Sequence, residues 1–138
     1  MTSLNYDELE VGTTAPERRH VLTRTDLVKY AGASGDFNPM HHDEILAAAA
    51  GMPSVFGHGM FSMGFLCTAI TDWAGPGHLV RVGTRFSKQT WPGETLVTRL
   101  VVTGKREEEG RRLVDVECTL ANSDGEPKVV GTATVEAV

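Results

Sequence analysis

The sequence predicts an α+β domain in which an antiparallel sheet wraps a long central helix. Three observations carry this. Up to about residue 75 the apolar residues cluster at helical spacings, and beyond about residue 79 they alternate as strands do. Between these regions Met60, Phe61, Met63, Phe65, Leu66, Cys67, Ala69 and Ile70 are apolar around nearly the whole circumference of a helix, one too short for the roughly 20 residues that cross a bilayer. Such a helix must be buried, and a sheet with one apolar face is the partner that buries it. The 138 residues, 41% hydrophobic and 22% charged, are the size of one globular domain, taken as residues 1–138.

The elements follow in order. Leu9–Gly12 and Arg18–Leu22 are candidates for an edge strand. Thr25-Asp26 opens a short helix with a capping residue and an acid in its first turn, and Gly32–Gly35 ends it. A second helix starts at Asn38 as N-cap, with Pro39 where a missing N–H costs nothing and Asp43 and Glu44 near the positive end; Gly51 stops it. The central helix runs from Gly59 to Trp73, and the following Gly75-Pro76-Gly77 breaks it. Four strands are then predicted, Leu79–Thr90, Glu94–Gly104, Leu113–Ala121 and Lys128–Glu136, with Pro92-Gly93, Glu107–Gly110 and Ser123-Asp124-Gly125 as turns. Val114, Val116, Cys118 and Leu120 share one face of their strand, against Asp115, Glu117 and Thr119. Val80, Val82, Thr84 and Phe86 do the same against Arg81, Arg85 and Ser87.

The balance of 13 basic and 18 acidic residues, net −5, comes without a basic block, which argues against a nucleic-acid partner. No apolar run reaches membrane-spanning length, and the acidic start of the chain does not resemble a signal peptide, so the expectation is a cytoplasmic protein with no membrane partner. Cys67 and Cys118 are too far apart in sequence for a zinc ribbon or redox motif and read as small core residues in a reducing compartment. The neighbouring His41 and His42 diverge by about 100° on a helix, so no metal site is expected.

Two clusters carry chemistry. In Ser34-Gly35-Asp36-Phe37-Asn38-Pro39-Met40-His41, the glycine and the Asn-Pro turn can fold the backbone until Asp36 and His41 face one point, where an acid and an imidazole can hold a water and move its proton. In Phe56-Gly57-His58-Gly59-Met60, at the start of the central helix, glycines admit a ligand to the backbone, and the free first-turn N–H groups favour a developing oxyanion. Gly59 is the candidate donor.

These two motifs, Gly-Asp-Phe-Asn-Pro-Met-His at 35–41 and His-Gly-Met at 58–60 before an apolar helix, resemble the MaoC-like, or (R)-specific enoyl-thioester hydratase, family. The resemblance implies a hot-dog fold and dimerisation through sheet edges, as a homodimer or as a heterodimer with another hot-dog subunit. It implies Asp36 and His41 as the catalytic pair, Gly59 as the oxyanion donor, and Asn38, Ser34, Gly35, His58 and Ser62 as supporting residues. The implied reaction is reversible hydration of a trans-2-enoyl thioester of coenzyme A or acyl carrier protein to the (3R)-hydroxyacyl thioester, with no cofactor beyond the substrate's carrier. Some members carry a serine near the middle of the central helix, where this sequence has Cys67; Ser62 is then the alternative hydroxyl, unless it bonds a carbonyl of its own helix. Two alternatives stand beside the hydratase. One is a subunit of a mixed dehydratase complex that needs a partner, although the non-catalytic member of such pairs generally lacks the Asp and His kept here. The other is a hot-dog acyl-CoA thioesterase.

Overall fold

The computed structural model describes residues 3–138; Met1 and Thr2, the first residues of the N-terminal stretch considered above, lie outside them. Five strands, β1 (Arg19–Val21), β2 (Leu79–Phe86), β3 (Thr95–Glu108), β4 (Arg111–Asn122) and β5 (Pro127–Glu136), form one sheet in the order β1-β3-β4-β5-β2. Every pairing is antiparallel. Three helices accompany it: α1 (Arg24–Ser34), α2 (Glu44–Ala49) and α3 (Gly59–Ala74).

The core forms where α3 meets the alternating faces of the strands. Leu66, Ala69, Ile70 and Ala74 of α3 share one apolar cluster with Leu96, Leu100 and Val102 of β3, Val114, Val116, Cys118 and Leu120 of β4, and Val129, Ala133 and Val135 of β5. Each fully buried leucine here, such as Leu66 or Leu120, stabilises the fold by on the order of 2 kcal/mol relative to exposure. In β4 the alternation is as the sequence predicts, with Glu117 exposed and Asp115 and Thr119 half-buried on the outer face.

Several boundaries differ from expectation. The cap of α1 is Thr23 rather than Thr25: its hydroxyl accepts from Asp26 N–H while Asp26 returns a bond to Thr23 N–H, a reciprocal capping box. Asn38 caps only a 3-10 turn, Pro39–His41, because His42 leaves helical geometry; Asp43 then caps α2 by accepting from Ile45 and Leu46 N–H. Strand β2 stops at Phe86, four residues early, because residues 87–94 leave the ladder and fold against β5. Strand β3 instead runs on to Glu108, since Glu109 and Gly110, both at positive φ, make the turn alone. Only Arg19–Val21 forms the edge strand; Leu9–Gly12 adds a Gly12 N–H bond to Val102 O.

Burial of α3 is also incomplete. The sheet covers one side, while Met60, Gly64, Thr68 and Asp72, spaced by four and hence in one stripe, are exposed. Within β2, a bulge between Leu79 and Arg81 breaks the predicted alternation at Val80, which is 42% exposed, and Phe86, the last residue of the strand, is 50% exposed.

Candidate active site

The loop that carries Asp36 and His41 is built almost wholly from side-chain bonds to backbone. Gly35 ends α1 in the left-handed region, φ 76°, which turns the chain back on itself. Ser34 then steadies the turn, its hydroxyl donating to Tyr30 O and accepting from Asp36 N–H. Asp36 Oδ1 accepts from Asn38 N–H, and Asn38 Oδ1 from Met40 N–H, which closes the 3-10 turn that delivers His41. Ser34, Gly35 and Asn38 thus lie where support for the loop requires them.

His41 is 8% exposed, and its Nδ1–H donates to Phe56 O at 2.7 Å. That bond fixes the tautomer, leaving the Nε2 lone pair directed at Asp36 Oδ2, 3.8 Å away. Two acceptors at that separation do not bond each other. A water about 2.8 Å from each, giving one hydrogen to either, fits between them. Asp36 is half-exposed, so the pair opens to solvent on the carboxylate side.

His58 lies behind this pair. Its ring stacks on His41 with centroids 3.8 Å apart, Tyr30 meets its edge, and Nε2–H donates to Asp36 O at 3.1 Å. Nδ1 is therefore the bare nitrogen, buried without a partner. Burial pushes His58 below the ordinary histidine range, with His41 nearby adding to that and the bond to Asp36 O opposing it. Donor atoms of Asp36, His41 and His58 lie within 4.8 Å of one another. Nearly parallel stacked rings point their lone pairs in parallel, however, and one ion cannot sit in both ring planes, which disfavours a metal here.

From His58 the chain enters α3. No side chain caps this helix, so its first-turn N–H groups, Gly59 foremost, remain available to a ligand. Gly59 is exposed and faces a cavity of about 320 Å³ whose wall includes Phe56, Ser62, Phe86, Thr90 and Val129. Asp36 and His41 are not in that wall; they border it through Phe56, whose carbonyl holds His41 and whose ring meets it edge-on. A larger cavity, about 440 Å³, lies on the outer face of β3 and β4 among Arg19, Arg99, Glu117 and Thr119. The smaller one adjoins the Asp36–His41 pair and the uncapped helix, and so is the candidate substrate site.

The alternative in which Ser62 merely bonds a carbonyl of its own helix does not hold: its hydroxyl, 2% exposed, has no hydrogen-bond partner among the described residues, and it lies in the wall of the cavity. Thr68 makes that type of bond instead, to Gly64 O. Cys67 lies about 140° around α3 from Ser62, close enough to Cys118 of β4 to help raise the latter's thiol, which burial chiefly pushes up to about 11. Cys67 is not in the wall of the cavity that Gly59 faces. The residues not anticipated are Thr90 and its neighbours in the segment after β2, which form one wall of the cavity and carry no local signal, having read as the end of a strand.

A sheet wrapped on one helix, with an acid and an imidazole converging beside that helix's uncapped start, is the hot-dog arrangement that the sequence resemblance implies. The chain belongs to the MaoC-like domain family, whose model matches residues 9–124. The chain superposes with a TM-score of 0.87 on the unliganded R-hydratase of Pseudomonas aeruginosa, 31% identical, covering 98% of this chain and 86% of that one. It is 31% identical to the 3-oxo-4,17-pregnadiene-20-carboxyl-CoA hydratase beta subunit of Mycobacterium tuberculosis, over 91% of this chain and 93% of the relative. Peroxisomal enoyl-CoA hydratase 2 of Arabidopsis thaliana is 40% identical over 76 residues, 53% of this chain, and this match spans 25% of that relative's length.

Proposed function

We propose that the chain hydrates trans-2-enoyl thioesters of coenzyme A or acyl carrier protein reversibly to (3R)-hydroxyacyl thioesters. The observation that carries this is the 3.8 Å gap between Asp36 Oδ2 and the bare Nε2 of His41, set beside the free N–H groups of α3. A water giving one hydrogen to each acceptor turns its lone pairs outward. Its oxygen bonds to C3 as one of its protons passes to the Asp36–His41 pair, and a proton from the pair is delivered to C2. Between these events negative charge collects on the thioester oxygen, where Gly59 N–H and the dipole of α3 stabilise it; losing such a donor typically costs on the order of 10²–10³ in rate. Dehydration is the same path reversed. The chemistry is acid–base throughout and calls for no cofactor or metal.

The working unit in this reading is a dimer, of two copies or with a second hot-dog chain. Strand β2 lies at the sheet edge with eight residues and exposed Val80 and Phe86, whereas the opposite edge, β1, has three residues. The exposed stripe on α3 is a second surface left for a partner. The relative named as a beta subunit supports a mixed assembly as one form of it. Among the described residues no helix is long and apolar enough to cross a membrane, and both cysteines are free, which supports the cytoplasm as the compartment.

The test is to mix purified protein with trans-2-enoyl-CoAs of short, medium and long chain and follow the enoyl-thioester absorbance. Loss of the band with formation of (3R)-hydroxyacyl-CoA is expected. Release of free thiol from a saturated acyl-CoA, with no hydration, would instead identify a thioesterase.

A further inference from the structure

Among the described residues, Lys128 is the one lysine, arginine or acid that is buried. Its side chain is wholly shielded from solvent, and the three hydrogens of its ammonium go to Gln89 O at 2.9 Å, Glu94 Oε1 at 3.0 Å and Glu126 Oε1 at 2.8 Å. Burial works against this charge, but the bonds and attraction to Glu126 and Glu94 outweigh it and hold the lysine above its ordinary range. A buried ion pair of this kind is a poor way to gain stability, since an apolar side chain of similar size often does as well. Its bonds indicate a different use.

All three reach across to the segment between β2 and β3 or to its partners. Residues 87–94 have left the sheet ladder, and β5 holds them: Ser87 and Lys88 N–H donate to Lys128 O, Ser87 Oγ–H to Pro127 O, and Lys88 Nζ to Glu126. Glu94, bonded to Lys128, also accepts from Trp91 N–H. Thr90, next to the Gln89 carbonyl that Lys128 grips, accepts Gly57 N–H on its own carbonyl at 2.8 Å. The Thr90 hydroxyl lies against the Gly57 Cα, where a Cβ would overlap it, so no residue but glycine fits there. Two residues beyond Gly57 is Gly59. The contacts therefore run without a break from the Lys128 ammonium through Gln89 and Thr90 to the backbone that presents the oxyanion donor.

We propose that Lys128, through Gln89 and Thr90, is a positioning residue for the start of α3, setting the placement of Gly59 N–H against the substrate carbonyl. The proposal rests on the hydratase reading for its catalytic consequence, but not for the structural link. A misplacement of about 1 Å in such a donor is expected to cost up to roughly a hundredfold in rate while leaving substrate contacts largely intact.

The test compares wild type with Lys128→Met/Glu94→Gln, in which the second change prevents a partly buried carboxylate from losing its partner. Two measurements follow. Amide hydrogen exchange at Gly57, without substrate, is expected to quicken about tenfold or more while Val114 and Val116 of β4 hold their protection. Isotope-edited infrared spectra of a bound ¹³C=O enoyl thioester are expected to lose most of the carbonyl shift seen with wild type, and kcat to fall by about tenfold to a hundredfold with KM changed by less than about threefold. Glu94→Gln alone, which loosens one anchor and keeps the lysine, should show the same changes in smaller degree and serves if the double variant does not fold. Unchanged Gly57 exchange and an unchanged carbonyl shift in whichever variant folds would overturn the proposal. So would the same loss of carbonyl shift in Val116→Ala, which destabilises the core without touching this chain of contacts. If wild type binds and hydrates no enoyl thioester, the hydratase reading falls, while Gly57 exchange still decides whether Lys128 holds the helix start.

Discussion

The β3–β4 hairpin and the segment from Ser34 to His58 satisfy their backbones in different ways. In the hairpin, pairs from Leu96–Asn122 to Glu108–Arg111 exchange backbone bonds across one bulge, which frees the side chains to alternate between core and solvent. In the segment, side chains serve the backbone: Ser34, Asn38 and Asp43 accept from N–H groups, and His41, His42 and His58 donate to the carbonyls of Phe56, Phe37 and Asp36. Polar residues there are scaffold and chemistry at once. The bond that seats His41 also sets which of its nitrogens is bare. Changes in the segment should therefore cost activity before stability, and changes in the hairpin the reverse.

The sharpest separation comes from Asp36 and His41, the pair that carries the proposed reaction. Asp36→Asn or His41→Ala is expected to lower kcat for hydration by about 10²–10⁴-fold, with a melting temperature near wild type. An activity near wild type in either variant, by the enoyl absorbance assay, would remove that residue from the mechanism. His58 is predicted to come next: His58→Ala frees Asp36 O and removes the ring stacked on His41, costing about 10–100-fold in kcat, whereas His58→Gln keeps a donor and should recover part of it. Equal losses in the two variants would show that packing alone matters there. On the hairpin side, Leu100→Ala should lower unfolding stability by about 2–5 kcal/mol in denaturant titration. Its activity per folded molecule should not change; a fall would erase the distinction between the regions.

The smallest effect is the response to acid. Burial holds His58 below its ordinary value of 6.5, so as pH falls through 6.5 the unfolded chain takes up the proton first, and stability present above that pH is lost. Glu126 lies at about 2 against an ordinary 4.5, chiefly through its bond to Lys128 and then Lys88. Its contribution is present above about 4.5 and is lost as pH falls toward 2. Denaturant titrations at stepped pH should show both declines, and His58→Gln should flatten only the upper one.

The contrast between the regions also decides what could be read from the sequence. The β4 face was legible because strand alternation is local and nearly unbroken, and the catalytic loop because Gly35, Asp36, Asn38, Pro39 and His41 act within seven residues of one another. The break at His42 was not, since it depends on Asp43 preferring to cap α2 over continuing a helix from Asn38. The early end of β2 and the role of Lys128 were hidden for a stronger reason. Residues 87–94 contain strand-compatible positions, and the partners that hold them off the ladder include a lysine about forty residues away that reads, alone, as the polar start of a strand. Likewise, the uniform apolarity of α3 predicted full burial, because composition does not reveal that the sheet covers only one side of the helix and leaves one stripe exposed.

The central claim is that Asp36 and His41 act on one shared water. The most direct test is a double-mutant cycle on the hydration rate, with Asp36→Asn, His41→Gln and the two combined. The predicted result is strong non-additivity, the double variant being about as slow as the slower single one, since either change alone unseats the water. Losses that multiply would mean that the two residues act independently, and would contradict the account.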